Sequence, residues 1–302
     1  MQAVVVDNVS KKYDEIIAVK NISLEVGQGE IFGLLGPNGA GKTSLMRMIM
    51  NIIVPDSGRI ILWGDPFKEK HKSQIGYLPE ERGLYPRMKL LHHLQFLGEM
   101  KGMSSKEARN TALQWLEKFN LADRVDRKIQ DLSKGLQQKV QFIASVLHHP
   151  SLLILDEPFS GLDPVNTKFL KDILMEMKRE GVTILLSTHL MEQAEKLCDR
   201  ICLVNRGEVV LQGKVSEVKR KYHHNTVLLE YTGDGNQVAM LPGVEEINDY
   251  GNYMEIRLSD KTLPSQFFKQ LGGLNIEVRR FEATETSLNQ IFIDLVGETI
   301  EE

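Results

Sequence analysis

The chain reads as an α/β protein: a parallel sheet covered by helices, carrying a helical insert and followed by a small α+β unit. Three observations predict this. Apolar strands alternate with helical patterns in Leu152-Leu153-Ile154-Leu155, a helix over about 165–179, Val182-Thr183-Ile184-Leu185-Leu186-Ser187, a helix over about 191–197, and Ile201-Cys202-Leu203-Val204. Such alternation needs crossover helices and therefore parallel strands. A stretch over about 90–147 is helical throughout and forms the insert. The polar, basic break Lys219-Arg220-Lys221-Tyr222-His223-His224-Asn225, after the hairpin strand Glu208-Val209-Val210-Leu211-Gln212-Gly213, divides the chain into 1–218 and 219–302.

The opening is strand-rich. Val4-Val5-Val6 and Ile22-Ser23-Leu24-Glu25-Val26 are short strands, Ile31-Phe32-Gly33-Leu34-Leu35 is a buried one, and Gly58-Arg59-Ile60-Ile61-Leu62-Trp63 is a further strand. Between the last two, Ser44-Leu45-Met46-Arg47-Met48-Ile49 places apolar residues at helical spacing, in a helix beginning near Gly41. In the insert, Leu90, Leu91, Leu94 and Leu97 share one helical face, and Ser105 is read as the N-cap of a helix through Phe119. Beyond the break, strands Thr226-Val227-Leu228-Leu229-Glu230-Tyr231 and Tyr253-Met254-Glu255-Ile256-Arg257-Leu258 are separated by a turn at Asp249-Tyr250-Gly251-Asn252. Helices over about 263–271 and 287–296, with the strand Ile276-Glu277-Val278-Arg279-Arg280-Phe281, complete a unit in which no motif carries chemistry.

Gly36-Pro37-Asn38-Gly39-Ala40-Gly41-Lys42-Thr43 is a complete phosphate-binding loop, G-x-x-x-x-G-K-[ST], set between a strand and a helix as its chemistry requires. Its glycines let the backbone curl so that successive N–H groups face phosphate oxygens, and the helix N-terminus, continuing into Ser44, adds partial positive charge. Lys42 is expected to reach the β- and γ-phosphates of a nucleoside triphosphate and the Thr43 hydroxyl to bind Mg²⁺. The strand Leu152-Leu153-Ile154-Leu155 ends in Asp156-Glu157, an arrangement that puts one carboxylate beside Mg²⁺ and a second beside an attacking water. Ser133 and Gly135 open a helix running through Val140, Ile143 and Leu147; a hydroxyl and a glycine there can grip a γ-phosphate, or the serine can be a simple N-cap.

The order of phosphate loop, helical insert, Leu132-Ser133-Lys134-Gly135-Leu136-Gln137, Asp156-Glu157, Ser160-Gly161-Leu162-Asp163 and a histidine, His189, after a strand resembles the nucleotide-binding subunit of ATP-binding-cassette (ABC) transporters over roughly residues 1–218. The resemblance implies the ABC ATPase variant of the P-loop NTPase fold, a mixed sheet with a helical subdomain over about 88–148, and a small C-terminal α+β domain with an accessory or regulatory role. It further implies that Ser133 and Gly135 act in trans on ATP held by a second subunit. Ser160 to Asp163 would lie across that dimer interface, His189 would contact the γ-phosphate, and Tyr13 would stack on adenine. Two departures from the family pattern stand out. Glu80, in Ile75-Gly76-Tyr77-Leu78-Pro79-Glu80-Glu81-Arg82, occupies the place of a glutamine that reaches Mg²⁺ and the water, and Lys134 and Leu136 replace Gly and Gln. With Glu80 and the stretch Ala283-Thr284-Glu285-Thr286-Ser287-Leu288-Asn289-Gln290-Ile291-Phe292, the chain is similar to bacterial ABC-2-type exporters.

Composition narrows the alternatives. At 302 residues with 42% hydrophobic and 26% charged residues, the chain has an ordinary globular balance, and a formal charge of −4 gives no bulk attraction for nucleic acid. No apolar run approaches the roughly 18 residues of a spanning helix, and no basic leader precedes the apolar Val4-Val5-Val6, so the expectation is a protein neither exported nor self-inserting. Cys198 and Cys202 are expected to be buried, reduced thiols. A soluble ABC-type ATPase, acting in translation, on DNA or as an ATP-gated regulatory protein, is the competing class. Translation factors of the family usually carry two cassettes, and chromosome-type relatives place a long coiled coil between the two motifs. Here a single cassette has about ninety residues between Lys42 and Ser133 and no heptad run. The implied partners are transmembrane permease subunits and a second ATP-binding subunit, with no nucleic acid, at the cytoplasmic face of a membrane.

Overall fold

A computed structural model describes residues 1–81, 83–222, 225–259, 261–284 and 286–297. Arg82 of the Glu80 loop, His223 and His224 of the basic break, and Glu285 of the C-terminal stretch lie outside the described residues. The chain forms two compact units, Met1–Lys214 and Val215–Glu302.

The first unit opens with two long strands, β1 (Gln2–Tyr13) and β2 (Ile16–Gly27), paired antiparallel. Next come β3 (Ile31–Leu35), helix α1 (Lys42–Ile49), β4 (Ser57–Leu62), the two-residue β5 (Asp65–Pro66) and β6 (Ile75–Leu78). The insert is α2 (Leu90–Met100), α3 (Ser105–Lys118) and α4 (Lys134–Val146). The alternating part follows as β7 (Leu152–Asp156), α5 (Pro164–Arg179), β8 (Thr183–Thr188), α6 (Met191–Leu197), β9 (Arg200–Asn205) and β10 (Glu208–Lys214). One sheet has the order β2-β1-β4-β5 and the other β10-β9-β3-β8-β7-β6, parallel except for the β10–β9 hairpin. Helix α1 turns Leu45, Met46 and Ile49 into a single core with Val4, Val6, Ile22 and Leu24 of the first sheet and Phe32, Leu34, Ile154 and Leu185 of the second. The phosphate loop is thus clamped between two sheets by the apolar face of the helix it precedes.

The second unit begins with α7 (Val215–Lys221). Its strands β11 (Asn225–Gly233), β12 (Val244–Asp249), β13 (Tyr253–Leu258) and β14 (Ile276–Thr284) make an antiparallel sheet of order β12-β13-β11-β14, with α8 (Pro264–Leu271) and α9 (Leu288–Gly297). Its own core joins Val227, Leu229, Met254, Ile256 and Leu258 with Phe267 and Leu271 of α8.

Two local expectations change. The cap of α3 is Ser104, whose hydroxyl accepts the Glu107 N–H, and Ser105 is the first helical residue. The units divide after Lys214 and not at residue 218, because Lys219-Arg220-Lys221 is the basic last turn of α7 and not an irregular break; cations complement the negative end of a helix. Both cysteines are free and buried; burial raises both thiols, that of Cys202 to about 12, which makes them inert.

The insert also stores neutral histidines. His93 is fully buried on α2, with neither ring nitrogen hydrogen-bonded among the described residues, and burial lowers its pKa to about 4; His148 is lowered to about 4 by the same cause. The unfolded chain takes up these protons near pH 6.5, so their stability contribution is complete above that pH and is lost as pH falls toward 4. His93→Leu should therefore flatten the acid side of the stability profile by about 1.4 kcal/mol per pH unit between about pH 6.5 and 4. Urea unfolding at stepped pH reads this directly, and an unchanged slope would show that His93 titrates alike in both states.

Candidate functional site

The carboxyl ends of the parallel strands converge on one edge, and the register decides what meets there. Leu35 pairs with Thr188, Asp156 with Ser187, and Leu78 with Leu155. The residues immediately past these strands are the phosphate loop, Glu157, His189 and Glu80. This is the edge where open α/β sheets bind ligands.

The loop between β3 and α1 is held by close backbone approaches. Gly36 and Gly41 lie at φ 149° and 104°, and a Cβ at either would sit 2.1 Å from a carbonyl oxygen, that of Val204 or of Ala18. No side chain can replace a hydrogen there. Gly207 completes the cradle by donating its N–H to the Ala40 carbonyl at 3.0 Å. Lys42, 6% exposed, curls back to donate to the carbonyls of Gly36 (2.8 Å) and Pro37 (3.0 Å) and lies 3.7 Å from Glu157. An anion placed in the loop would compete for that ammonium with weaker neutral acceptors.

The acid pair is set by a residue that sequence reasoning passed over. Ser187, fully buried on β8, donates its hydroxyl to Asp156 Oδ1 and accepts the Glu157 N–H at 3.0 Å. Glu157 needs that bond because it sits at φ 49°, a left-handed conformation that costs a non-glycine residue about 1–3 kcal/mol. In return its carboxylate turns into the site, where Oε1 lies 3.0 Å from His189 Nδ1. The second Asp156 oxygen, Oδ2, is buried without a hydrogen-bond partner among the described residues. A buried carboxylate oxygen without a partner is a hard donor of the kind Mg²⁺ takes, and the hydroxyl-bearing Thr43 lines the same cavity as Glu157, the residue after Asp156. Tyr77, paired with Ile154 across β6 and β7, has its hydroxyl pKa raised by burial first and by the Asp156 carboxylate second, with Arg47 opposing.

A cavity of about 350 Å³ is lined by Ala18, Asn38, Gly39, Ala40, Gly41, Lys42, Thr43, Ser44, Glu80 and Glu157. It brings residues 38–44, Glu80 and Glu157 together, and adds Ala18 from β2. A larger cavity, about 530 Å³, lies by Trp115, Lys118, His149 and Glu176 and includes no phosphate-loop residue, so volume alone does not locate the chemistry.

Other expected residues stand apart. Tyr13 is at the β1–β2 hairpin end, 42% exposed, with Lys11 Nζ 5.7 Å from its ring centroid and outside the cavity lining. Ser133 is the exposed N-cap of α4, accepting the Leu136 N–H at 3.4 Å, and a Cβ at Gly135 would meet nothing within 4 Å. Neither lines the cavity. Asp163 caps α5; the Asn166 backbone N–H, then the Asn166 side chain, hold its carboxyl below the usual range.

Ser187→Ala would leave the Glu157 N–H and Asp156 Oδ1 unpaired in a buried place, so it should lower stability by about 1–3 kcal/mol. It should also slow any chemistry that uses Glu157. Denaturant unfolding and a turnover assay read the two effects, and a variant unaffected in both would show that the bridge does not hold the strand end.

Comparison with known proteins bears on this geometry. Residues 19–160 match the ABC transporter family, and residues 213–296 match the ATP-binding protein DrrA1-3-like C-terminal domain. An uncharacterized ABC transporter ATP-binding protein, YhaQ of Bacillus subtilis (strain 168), is 41% identical over 296 residues, 98% of this chain and 99% of the relative. Nod factor export ATP-binding protein I of Rhizobium etli is 31% identical over 306 residues, covering 100% of this chain and 95% of its own. Among solved structures, a dimeric ATP-binding cassette in a post-hydrolysis state, bound to ADP and phosphate, has a TM-score of 0.65 at 25% identity over 70% of this chain and 98% of the cassette. With its clamped phosphate loop, its strand-end acid pair and relatives matched over nearly the full length, the chain belongs to the ATP-binding proteins of ABC transporters, as an ABC ATPase cassette followed by a DrrA1-3-like C-terminal domain.

Proposed function

We propose that this chain is the nucleotide-driven clamp of an exporter. Two copies meet head to tail, and each ATP is enclosed by the phosphate loop of one and by Ser133 and Gly135 of the other. The observation that carries this reading is the exposure of Ser133 at the start of α4, with the half-buried Gly135 open to space beside its Cα, both outside a cavity that already contains Lys42, Thr43, Glu80 and Glu157. The dimeric cassette with ADP and phosphate and the relative named for Nod factor export lend support.

Within each site, Lys42 exchanges the carbonyls of Gly36 and Pro37 for β- and γ-phosphate oxygens, together with backbone N–H groups of the loop. Tyr13 offers an exposed aromatic face to adenine. Asp156 Oδ2 and Thr43 would hold Mg²⁺, with Glu80 as a further oxygen ligand, and the cation would supply positive charge to the phosphate oxygens. Glu157 accepts a proton from the attacking water, and His189, 3.0 Å from it, fixes the carboxylate and faces the γ-phosphate. Phosphoryl transfer asks mainly for positioning and charge stabilisation, which this set supplies.

No helix among the described residues is long and apolar enough to cross a membrane. Transport by this reading takes place through separate permease subunits, with the chain peripheral at the cytoplasmic face. The insert offers them the exposed apolar side chains Phe96 and Met100, and the segment leading into it offers Tyr85.

Glu157→Gln separates binding from turnover. With Mg-ATP the variant should accumulate as a dimer by size-exclusion chromatography, while its hydrolysis falls at least about 100-fold below wild type. A variant that stays monomeric, or hydrolyses ATP at the wild-type rate, contradicts the clamp.

A further inference from the structure

Helix α4 carries a polar side chain for which the clamp alone provides no use. Gln141 lies eight residues past Ser133, about 12 Å along the helix. It is 5% exposed, and its amide leaves the helix to reach the chain that follows β6. Nε2 donates to the Pro79 carbonyl at 2.9 Å and to the Glu81 carbonyl at 3.1 Å. These two carbonyls flank Glu80. An amide nitrogen has two N–H groups, and both are used here. The other amide atom, Oε1, is buried with no hydrogen-bond partner among the described residues. Two carbonyl acceptors at this spacing require the nitrogen on their side, which fixes the orientation of the amide.

We propose that Gln141 is a positioning residue: by pinning the backbone on both sides of Glu80 it keeps that carboxylate in the cavity with Thr43 and Glu157, and it ties Glu80 to the helix whose first turn carries Ser133 and Gly135. A helix transmits displacement along its axis because its backbone hydrogen bonds make it stiff. One end of α4 is the part offered to the second copy's ATP, and its third turn holds Glu80 of its own site. Docking of Ser133 on one nucleotide therefore bears on the position of Glu80 at the other. The proposal rests on the reading of Glu80 as a ligand-facing group in the clamp.

The test is a double-mutant cycle on the full chain, using Gln141→Met, Glu80→Ala and the double variant. Methionine has a similar length and fills the space without amide donors. Steady-state hydrolysis is followed at varied Mg²⁺, and Mg-ATP affinity is measured by calorimetry. Gln141→Met should lower kcat by about 10- to 100-fold, the scale of a misplacement near 1 Å. It should raise the half-saturating Mg²⁺ concentration and leave ATP affinity within about twofold, a kcat effect separated from binding. The double variant should be no slower than Glu80→Ala alone, because Gln141 acts through Glu80. Additive losses would overturn the proposal, as would a Gln141→Met chain with wild-type kcat and wild-type Mg²⁺ dependence, which would assign Gln141 to packing. If Gln141→Met does not fold, Gln141→Ala takes its place in the same cycle. Wild-type turnover in Glu80→Ala would remove the role of Glu80 and this route with it. Turnover lost in Glu80→Ala but untouched in Gln141→Met would overturn the positioning role alone.

Discussion

The parallel register of four strands is the constraint on which the rest of this chain depends. With Leu35 level with Thr188, Asp156 with Ser187 and Leu78 with Leu155, strands from distant parts of the sequence stop along one line. The chemistry then begins in the next one or two residues of each. A one-residue slip in any pair would send Asp156 or Ser187 to the opposite face of the sheet. The interleaved apolar residues prevent that slip, because Ile154, Leu185, Phe32 and Leu34 are all committed to the core they share with α1. Burial of these strands therefore determines the position of polar groups that contribute nothing to burial themselves.

Around that line the phosphate loop is over-determined. It is bounded by the Ala18 carbonyl from β2, the Val204 carbonyl from β9 and the Gly207 N–H from the β9–β10 turn, so both sheets of the unit bear on it. Backbone groups held this tightly need no reorganisation when a polyanion arrives, which is the source of electrostatic preorganisation. Lys42 is instead held on the loop's own carbonyls next to Glu157. The strained backbone at Glu157 fits the same pattern, since strain persists only where the surroundings enforce it. The enforcing group is the Ser187 hydroxyl, which holds Asp156 and Glu157 at once.

How much of this was legible beforehand follows from the kind of signal each residue carries. The phosphate loop and Asp156-Glu157 are local patterns whose flanking strands have unmistakable apolar runs, so sequence locates them. Ser187 is silent because its role comes from register with Asp156, and pairing across strands cannot be read from one segment. Gln141 is silent for the same reason: its partners are some sixty residues earlier in the chain. The short strand β6 goes unseen because four residues show no period, and β12 is hidden because it pairs on one side only and carries the exposed Glu245 and Glu246. Adjacent serines at 104 and 105 offer equal capping chemistry, and only backbone geometry distinguishes them. Tyr13, Asp163 and the action of Ser133 on a second subunit's ATP were reached by family likeness, and within the single chain these residues lie outside the cavity lining.

That division, with Lys42, Thr43, Glu80 and Glu157 lining the cavity and Ser133 outside it, is what makes a composite site between two copies the central claim. Mixed-chain complementation tests it most directly. Chains carrying Lys42→Ala and chains carrying Ser133→Ala are assayed for ATP hydrolysis separately and after mixing. If each site takes its phosphate loop from one copy and its serine from the other, each variant alone is inactive and the mixture regains turnover, because a mixed dimer contains one site with both parts intact. A mixture as inactive as its components would show that Ser133 does not complete a neighbour's site and would contradict the account.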